Sequence, residues 1–125
     1  MTKRAFITGI TGMVGSHLAD YLLANTDWDI YGFARWNDDL SNINHLLPLI
    51  NKKVRLNLIY GDLNDLASLT HSLSDVKPHY VFHLAAQSYP QTSFSAPLDT
   101  LETNIMGTAK LLEAIRILDL DPIIH

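Results

Sequence analysis

Short apolar runs alternate along the chain with longer stretches in which apolar residues recur every three or four positions. The runs lie at residues 4–8, 29–34, 54–60 and 80–84, and another begins at residue 122. Short apolar runs are typical of strands buried on both faces, and the longer spacing is typical of helices that pack by one side. The alternation predicts a fold of the α/β class, a doubly wound open parallel sheet with helices on both faces.

The longer stretches predict helices at residues 13–25, 42–50 and 97–118, and Leu66, Leu69 and Leu73 mark one face of a further helix before the last. Pro48 is expected to interrupt the second of them, because proline lacks a backbone N–H, and Pro97 is expected to begin the last. The side chains predicted to face the sheet from the first helix are Val14, Leu18, Tyr21 and Leu22. Those predicted from the last helix are Leu101, Ile105, Leu112 and Ile115.

Glycines spaced three apart join the first predicted strand to the first helix, at Gly9, Gly12 and Gly15. A strand that turns sharply into a helix leaves backbone N–H groups unpaired, and these attract phosphate. A side chain at Gly9 would obstruct the turn, one at Gly12 would keep a pyrophosphate from the backbone, and one at Gly15 would push the helix off the sheet. The spacing predicts a dinucleotide-binding turn, and the alternative is a glycine-rich turn without a ligand. No Gly-Lys-Ser/Thr follows, which disfavours a nucleotide triphosphatase.

The end of the second predicted strand bears on the choice of cofactor. In NAD-binding units an acidic residue about 20 positions past the glycines binds the ribose 2'-hydroxyl. Here Ala34 occupies that place, and Arg35 follows. Without a carboxylate a 2'-phosphate is not repelled, and an arginine can pair with it through two hydrogen bonds. The pair favours NADP over NAD, and the alternative is that Arg35 is a solvated surface residue.

The ends of the third and fourth predicted strands also carry candidates. Asp62 either reaches an adenine amino group or serves as the carboxylate at the start of the next helix. Ala85 and Ala86 are small enough for a cofactor to lie against the backbone. Gln87 and Ser88 offer hydrogen-bonding groups at the crevice where open parallel sheets bind ligands.

Composition narrows the class of protein. The chain has 125 residues, 47% hydrophobic, which is the size of one domain covering residues 1–125. A net charge of -4 without a charged block argues against nucleic acid and anionic membranes as partners. There is no cysteine, the histidines lack metal-ligand spacing, and His83 is interpreted as a packed histidine and not a base. No apolar run is long enough to span a membrane, and the first predicted strand begins at residue 4, which leaves no room for a signal peptide. We therefore expect a cytoplasmic protein without a signal peptide.

Motifs in a fixed order resemble those of the extended short-chain dehydrogenases/reductases, also called NAD-dependent epimerase/dehydratases. They are TGITGMVG at 8–15, YGDL at 60–63, HLAAQS at 83–88 and NIMGT at 104–108, followed by LLEA at 111–114. The resemblance covers the whole chain and implies a Rossmann fold. Within the family the chain is most similar to sugar-nucleotide 4,6-dehydratases, on account of ITGITG at 7–12, Tyr31-Gly32 before Arg35, and Ser93-Phe94 after the AQS segment.

The resemblance implies a set of cofactor contacts and one substrate contact. NADP, with NAD as the alternative, is expected to contact Gly9, Thr11, Gly12, Met13, Val14, Gly15, Arg35, Asp62, Leu63, Leu84, Ala85, Ala86 and Gln87. Ser88 is the candidate contact to a sugar nucleotide, for which a GDP-sugar is favoured. Two segments depart from the dehydratase pattern: Met13-Val14, which resembles epimerases and reductases, and residues 36–39.

The family's catalytic residues are not matched in this chain. In relatives more than twice this length, a Ser/Thr and a Tyr-x-x-x-Lys pair follow the fifth strand, and no tyrosine here has a lysine four residues on. We therefore expect a sheet truncated at the fifth strand, catalytic residues beyond His125, and no activity from this chain alone. The parent is expected to be a homo-oligomer that oxidises a sugar C4 hydroxyl by hydride transfer and eliminates water across C5–C6. The alternatives are a C4 epimerase or 4-keto reductase, and a non-catalytic NADP-binding module.

Overall fold

A computed structural model describes residues 2–125, in which parallel strands form one open sheet. The strands are β1 (Arg4–Thr8), β2 (Asp29–Ala34), β3 (Leu56–Tyr60), β4 (Tyr80–His83) and β5 (Ile123–Ile124). Their order is β3-β2-β1-β4-β5, and every neighbouring pair is parallel. The chain thus turns outward in both directions from β1, and a crevice forms at such a switch point, at the carboxyl ends of the strands.

Helices connect the strands on both faces of the sheet. They are α1 (Met13–Asn25), α2 (Leu47–Lys52), α3 (Leu66–Val76), α4 (Pro90–Ser95), α5 (Pro97–Leu101) and α6 (Gly107–Ile117). A 3-10 helix at Ser41–Leu46 precedes α2, and a π-helical segment at Glu102–Met106 makes one continuous helix of α5 and α6. Within residues 2–125 no helix is both long and apolar enough to cross a membrane.

Alternate side chains of β1 enter two separate cores. Ala5 and Ile7 are fully buried on the face covered by α1 and the 3-10 helix, in a core that includes Ile43. Phe6 is fully buried on the opposite face, among residues of α3 and α6. Because each face of the sheet has its own apolar layer, the doubly wound parallel sheet predicted from the sequence is confirmed.

The predicted inward face of α1 is partly wrong. Val14 and Tyr21 are 60% and 62% exposed. The buried residues of this helix are Gly15, Ser16, Ala19 and Leu22. Most of them are small, and they let the helix backbone approach the sheet more closely than a face lined by valine and tyrosine would allow.

The predicted inward face of the long helix is also wrong over most of its length. Leu101, Ile105 and Leu112 are 51%, 58% and 47% exposed. The buried residues of α6 are instead Gly107, Leu111, Ala114 and Ile115. The error begins at Leu101, before the π-helical segment: the buried positions of α6 keep a helical spacing of i, i+4, i+7 and i+8, but they start at a glycine, which a count of large apolar side chains does not select.

Two further boundaries differ from the prediction. β3 begins at Leu56 and not at residue 54, because Lys53 and Arg55 have φ angles of 53° and 62°, which no strand accommodates. The Arg55 side chain donates to backbone carbonyls that include Leu23 O at 3.0 Å. Pro48 lies in the first turn of α2 and helps to begin that helix, where no N–H bond is lost. The short helix α4 was not predicted.

Candidate functional site

A single crevice of about 660 Å³ opens at the carboxyl ends of the inner strands. It brings together every candidate named from the sequence: Gly9, Thr11, Gly12, Met13, Val14, Gly15, Arg35, Asp62, Leu63, Leu84, Ala85, Ala86, Gln87 and Ser88. It is also lined by residues that sequence reasoning did not select, namely Phe33, Asp38, Asp39, Asn64, Asp99 and Thr103, and by Ala34. The motifs, which are far apart in sequence, therefore form one wall.

Two glycines are required by the fold of the turn itself. Gly9 has a φ of +74°, and a Cβ there would lie 2.8 Å from Ala85 N. A Cβ on Gly15 would lie 2.1 Å from Gly9 O. Both positions thus place backbone against backbone, and this contact seats the start of α1 directly on the end of β1.

Gly12 differs from its two neighbours in the motif. Its φ of -79° is ordinary for any residue, and a Cβ there would meet only Gly9 O, at 3.3 Å. Gly12 is the N-cap of α1, and in the described chain no side chain caps this helix and no acidic residue lies in its first turn. The space above Gly12 and the N–H groups of the first turn are therefore open to an anion from the crevice.

Arg35 forms an ion pair that the sequence did not reveal. Its Nε lies 3.1 Å from Asp38 Oδ1, and its backbone N donates to Asp38 Oδ2 at 3.1 Å. Thr11 Oγ1 also donates to Asp38 Oδ2 at 3.1 Å, which links this loop to the glycine turn. Arg35 is 63% exposed, and among the residues that line the crevice it is the one cation. The pair orients the guanidinium, although an exposed ion pair adds little stability.

Asp62 does not cap the helix that follows it. The N-cap of α3 is Asp65, whose Oδ1 accepts a hydrogen bond from Ala67 N at 3.1 Å. Asp62 Oδ1 instead accepts from Asn64 N at 2.9 Å, and the residue is exposed at the wall of the crevice. The capping alternative for Asp62 is therefore wrong, and its carboxylate keeps acceptor capacity for a donor in the crevice.

The loop after β4 is held from the long helix. Asn104, in the π-helical segment, accepts from Gln87 N at 2.7 Å and donates to Gln87 O at 2.9 Å. The Gln87 side chain accepts from Tyr89 N at 2.7 Å and donates to Tyr89 O at 3.1 Å. The amide of Gln87 therefore closes its own loop, and Ser88 is left exposed at the mouth of the crevice. Asn104 belongs to the NIMGT motif at 104–108, but its contact with Gln87 was not predicted from the sequence.

Replacing Asn104 with leucine should lower the free energy of unfolding by roughly 2–3 kcal/mol, because two partly buried hydrogen bonds to backbone groups are lost. Asn51→Leu, on an exposed position of α2, is the matched control and should change it by less than about 0.5 kcal/mol. Urea unfolding measures both, and amide exchange at Gln87 should accelerate only in the first variant. Equal stability of the two variants would contradict this role for Asn104.

Several carboxylates surround the crevice. Asp38, Asp39, Asp62 and Asp99 all line it. Hydrogen bonds from Ser41 lower the pKa of the Asp39 carboxyl, so it is ionised at neutral pH. Among residues 2–125 no group of three or more acidic or histidine side chains is placed to bind a metal ion. The anion-binding capacity of the crevice therefore rests on backbone N–H groups and Arg35.

Solved structures similar to this chain include two UDP-glucose 4-epimerases. UDP-glucose 4-epimerase of Thermotoga maritima, solved with UDP-glucose, is similar with a TM-score of 0.78 and 26% identity over 94% of this chain and 35% of that one. UDP-glucose 4-epimerase of Thermus thermophilus, solved with NAD, has a TM-score of 0.78 and 25% identity over the same shares. The fold of this chain is therefore the fold of the corresponding third of these two experimental structures.

Sequence relatives are dehydratases. GDP-mannose 4,6-dehydratase of Vibrio cholerae is 41% identical over 97% of this chain and 33% of its own length. GDP-mannose 4,6 dehydratase of Drosophila melanogaster is 41% identical over 91% of this chain and 30% of its own length. The chain thus spans about a third of the length of these relatives. The family profile described as GDP-mannose 4,6 dehydratase matches residues 6–125, and the chain therefore belongs to that family.

Proposed function

We propose that residues 1–125 are the NADP-binding domain of a sugar-nucleotide 4,6-dehydratase that acts on a GDP-sugar. The observation that carries the proposal is the uncapped start of α1 at Gly12, which faces a crevice lined by every candidate residue named from the sequence. The open space at Gly12 fits a pyrophosphate, because it admits phosphate oxygens to the backbone N–H groups. Membership of the family and the epimerases solved with NAD or UDP-glucose support the same assignment.

Arg35 is the proposed determinant of NADP over NAD. The guanidinium Nε of Arg35 is paired with Asp38, and the side chain is largely exposed. The two terminal guanidinium nitrogens are therefore available to a 2'-phosphate. Ala34, at the end of β2, presents no carboxylate to the ribose. The binding of the 2'-phosphate is thus a charge-assisted contact to an exposed, already oriented guanidinium.

Arg35→Ala should weaken NADP binding by about tenfold to a hundredfold and leave NAD binding within about twofold, since only NADP carries the 2'-phosphate. Isothermal calorimetry with both nucleotides measures the two affinities. Arg116→Ala removes an equally exposed arginine, paired with Glu113 and absent from the crevice wall, and is the control. Equal losses for the two nucleotides would show that Arg35 does not read the 2'-phosphate.

The proposed chemistry divides between the cofactor and this chain's residues. When bound, NADP would supply the acceptor for a hydride from the sugar C4 and would later return that hydride. The glycine turn binds the pyrophosphate, and Asp62 accepts from the adenine amino group. Ala85 and Ala86 let the cofactor lie against the backbone, and Ser88 contacts the sugar nucleotide. A C4 epimerase is the second candidate, favoured by the epimerase structures.

The substrate is tested with the full-length gene product supplied with NADP. Conversion of GDP-mannose to a 4-keto-6-deoxy product, followed by mass spectrometry and absent in a Gly12→Val variant, is the result expected. Interconversion of 4-epimers without loss of water would favour the epimerase instead.

The proposal extends to a homo-oligomeric, cytoplasmic enzyme, and the exposed apolar side chains of Leu98, Leu101 and Ile105 on the long helix support self-association.

A further inference from the structure

His83 lies at the centre of a chain of hydrogen bonds that joins β1, α6 and the π-helical segment. Its Nδ1 is 2.8 Å from Thr8 Oγ1, at the end of β1, and its Nε2 is 3.0 Å from Thr108 Oγ1, on α6. Thr108 Oγ1 in turn lies 2.9 Å from Asn104 O, in the π-helical segment. One imidazole therefore connects the glycine turn to the helix that holds the loop after β4.

The partners of the two hydroxyl groups determine where each proton lies. Thr8 is fully buried, and its Oγ1 accepts from Leu84 N at 3.0 Å and from Ala85 N at 3.1 Å. Its own proton must therefore go to His83 Nδ1. Thr108 gives its proton to Asn104 O, so its oxygen must accept a proton from His83 Nε2. Only the neutral imidazole with its proton on Nε2 satisfies every group.

We propose that His83, as its neutral Nε2–H tautomer, is a positioning residue that keeps the glycine turn, the loop after β4 and the π-helical segment in their cofactor-binding arrangement. Protonation would place an N–H on Nδ1, directly against Thr8 Oγ1. That oxygen already accepts two backbone N–H groups, and its proton would lose its acceptor. Dinucleotide binding should therefore fail as His83 becomes charged, a consequence that rests on the proposed function.

The charged groups around His83 do not provide a partner for an imidazolium. Burial alone lowers the pKa of His83, without a contribution from a charged neighbour. His125, directly after β5, accepts from His83 N through its backbone carbonyl at 2.8 Å, and its side chain is exposed. On β1, Arg4 donates to Lys77 O at 2.8 Å, away from the crevice. On the long helix, Lys110 pairs with Glu102 at 2.5 Å.

The sign of the pH effect follows from this lowered pKa. An unfolded chain takes up a proton on this histidine near pH 6.5, whereas the folded chain does so only at lower pH. The unfolded state binds more protons in between, so stability falls as the pH drops below about 6.5. Affinity for the nucleotide should fall at still lower pH, as the pH drops through the pKa of His83 in the folded chain.

The tautomer is measured directly by ¹⁵N NMR of the imidazole in the 125-residue chain at pH 7.5. The expected spectrum has an unprotonated Nδ1 and a protonated Nε2 on His83, in the absence of any nucleotide. A proton on Nδ1 would overturn the proposal. Because no ligand is needed, this result stands whether or not the proposed function is correct.

The role in positioning is measured with NAD, which lacks a titrating 2'-phosphate. His83→Asn retains an oxygen that can accept from Thr8 but cannot titrate in this range. It should bind within about threefold of the unmodified chain at pH 7.5 and keep that affinity as the pH is lowered through the titration of His83 followed by NMR, whereas the unmodified chain should lose affinity over that titration. His83→Phe, which has no acceptor, should lose about tenfold already at pH 7.5.

The control is His71→Gln, which removes an exposed histidine on α3 and should titrate like the unmodified chain. If His83→Phe fails to fold, nucleotide binding by His83→Asn and the tautomer of His83 measured by NMR still test the proposal. Identical pH profiles for His83→Asn and His71→Gln would overturn the proposal. Failure of every form, including the unmodified chain, to bind nucleotide at pH 7.5 would instead contradict the proposed function and the positioning role that depends on it.

Discussion

Gly12→Val is expected to abolish NADP binding while the fold remains. The reason lies in the two environments of this residue. On the protein side a Cβ meets only Gly9 O, at 3.3 Å, and the φ angle of -79° suits valine. On the crevice side its branched side chain would occupy the space of the pyrophosphate. We expect the affinity to fall by more than about a hundredfold, because the phosphate can no longer reach the backbone N–H groups.

Stability should change little in the same variant. Valine is a poorer N-cap than glycine and the Cβ contact is tight, so a loss of about 1 kcal/mol in the free energy of unfolding is expected. Calorimetry with NADP and urea unfolding on the same preparation measure the two quantities. Unchanged NADP affinity in a folded Gly12→Val chain would show that the glycine turn does not bind the pyrophosphate.

Gly15→Val is expected to have the opposite outcome and to prevent folding. A Cβ at this position would lie 2.1 Å from Gly9 O and 2.8 Å from Ile10 Cα. Both are backbone atoms at the end of β1, and neither can move without separating α1 from the sheet. We expect a destabilisation of more than about 4 kcal/mol, which is a large part of the stability of a domain of this size.

The matched control is Ala24→Val, which places the same side chain on an exposed position of α1. It should cost only the difference in helix propensity, about 0.5 kcal/mol. Circular dichroism during heating distinguishes the variants. A Gly15→Val chain that melts within a few degrees of the control would show that α1 does not rest on the turn as described.

Together these two glycines show what could be predicted from the sequence. The spacing of Gly9, Gly12 and Gly15 after a short apolar run was enough to predict the turn, because Gly9 and Gly15 are required by backbone contacts within the turn itself. The strands followed from the apolar runs for the same reason, since β1 and β2 are buried on both faces. The candidate site residues follow the ends of β1, β2, β3 and β4, and a parallel sheet places those ends together.

The features that the sequence did not reveal depend on contacts between distant residues. The buried face of α6 includes Gly107 and Ala114, small residues that a count of large apolar side chains does not select. The π turn at Glu102–Met106 could not be predicted either, because no residue pattern marks it. The link between Asn104 and Gln87 depends on that same turn. The pairing of Asp38 with Arg35 and Thr11 depends on how the loop after β2 folds back. None of these leaves a periodic signal.

The central claim is that the crevice at the glycine turn binds a dinucleotide, and NMR titration of the ¹⁵N-labelled chain with NADP tests it most directly. We predict saturable shifts of the amide signals of Met13 and Val14 at the start of α1, together with those of Leu63 and Ala85 on the crevice wall. These shifts should be absent in the folded Gly12→Val chain. Amide signals of these residues that remain unchanged at millimolar NADP, or shifts confined to α3 around His71, would contradict the account.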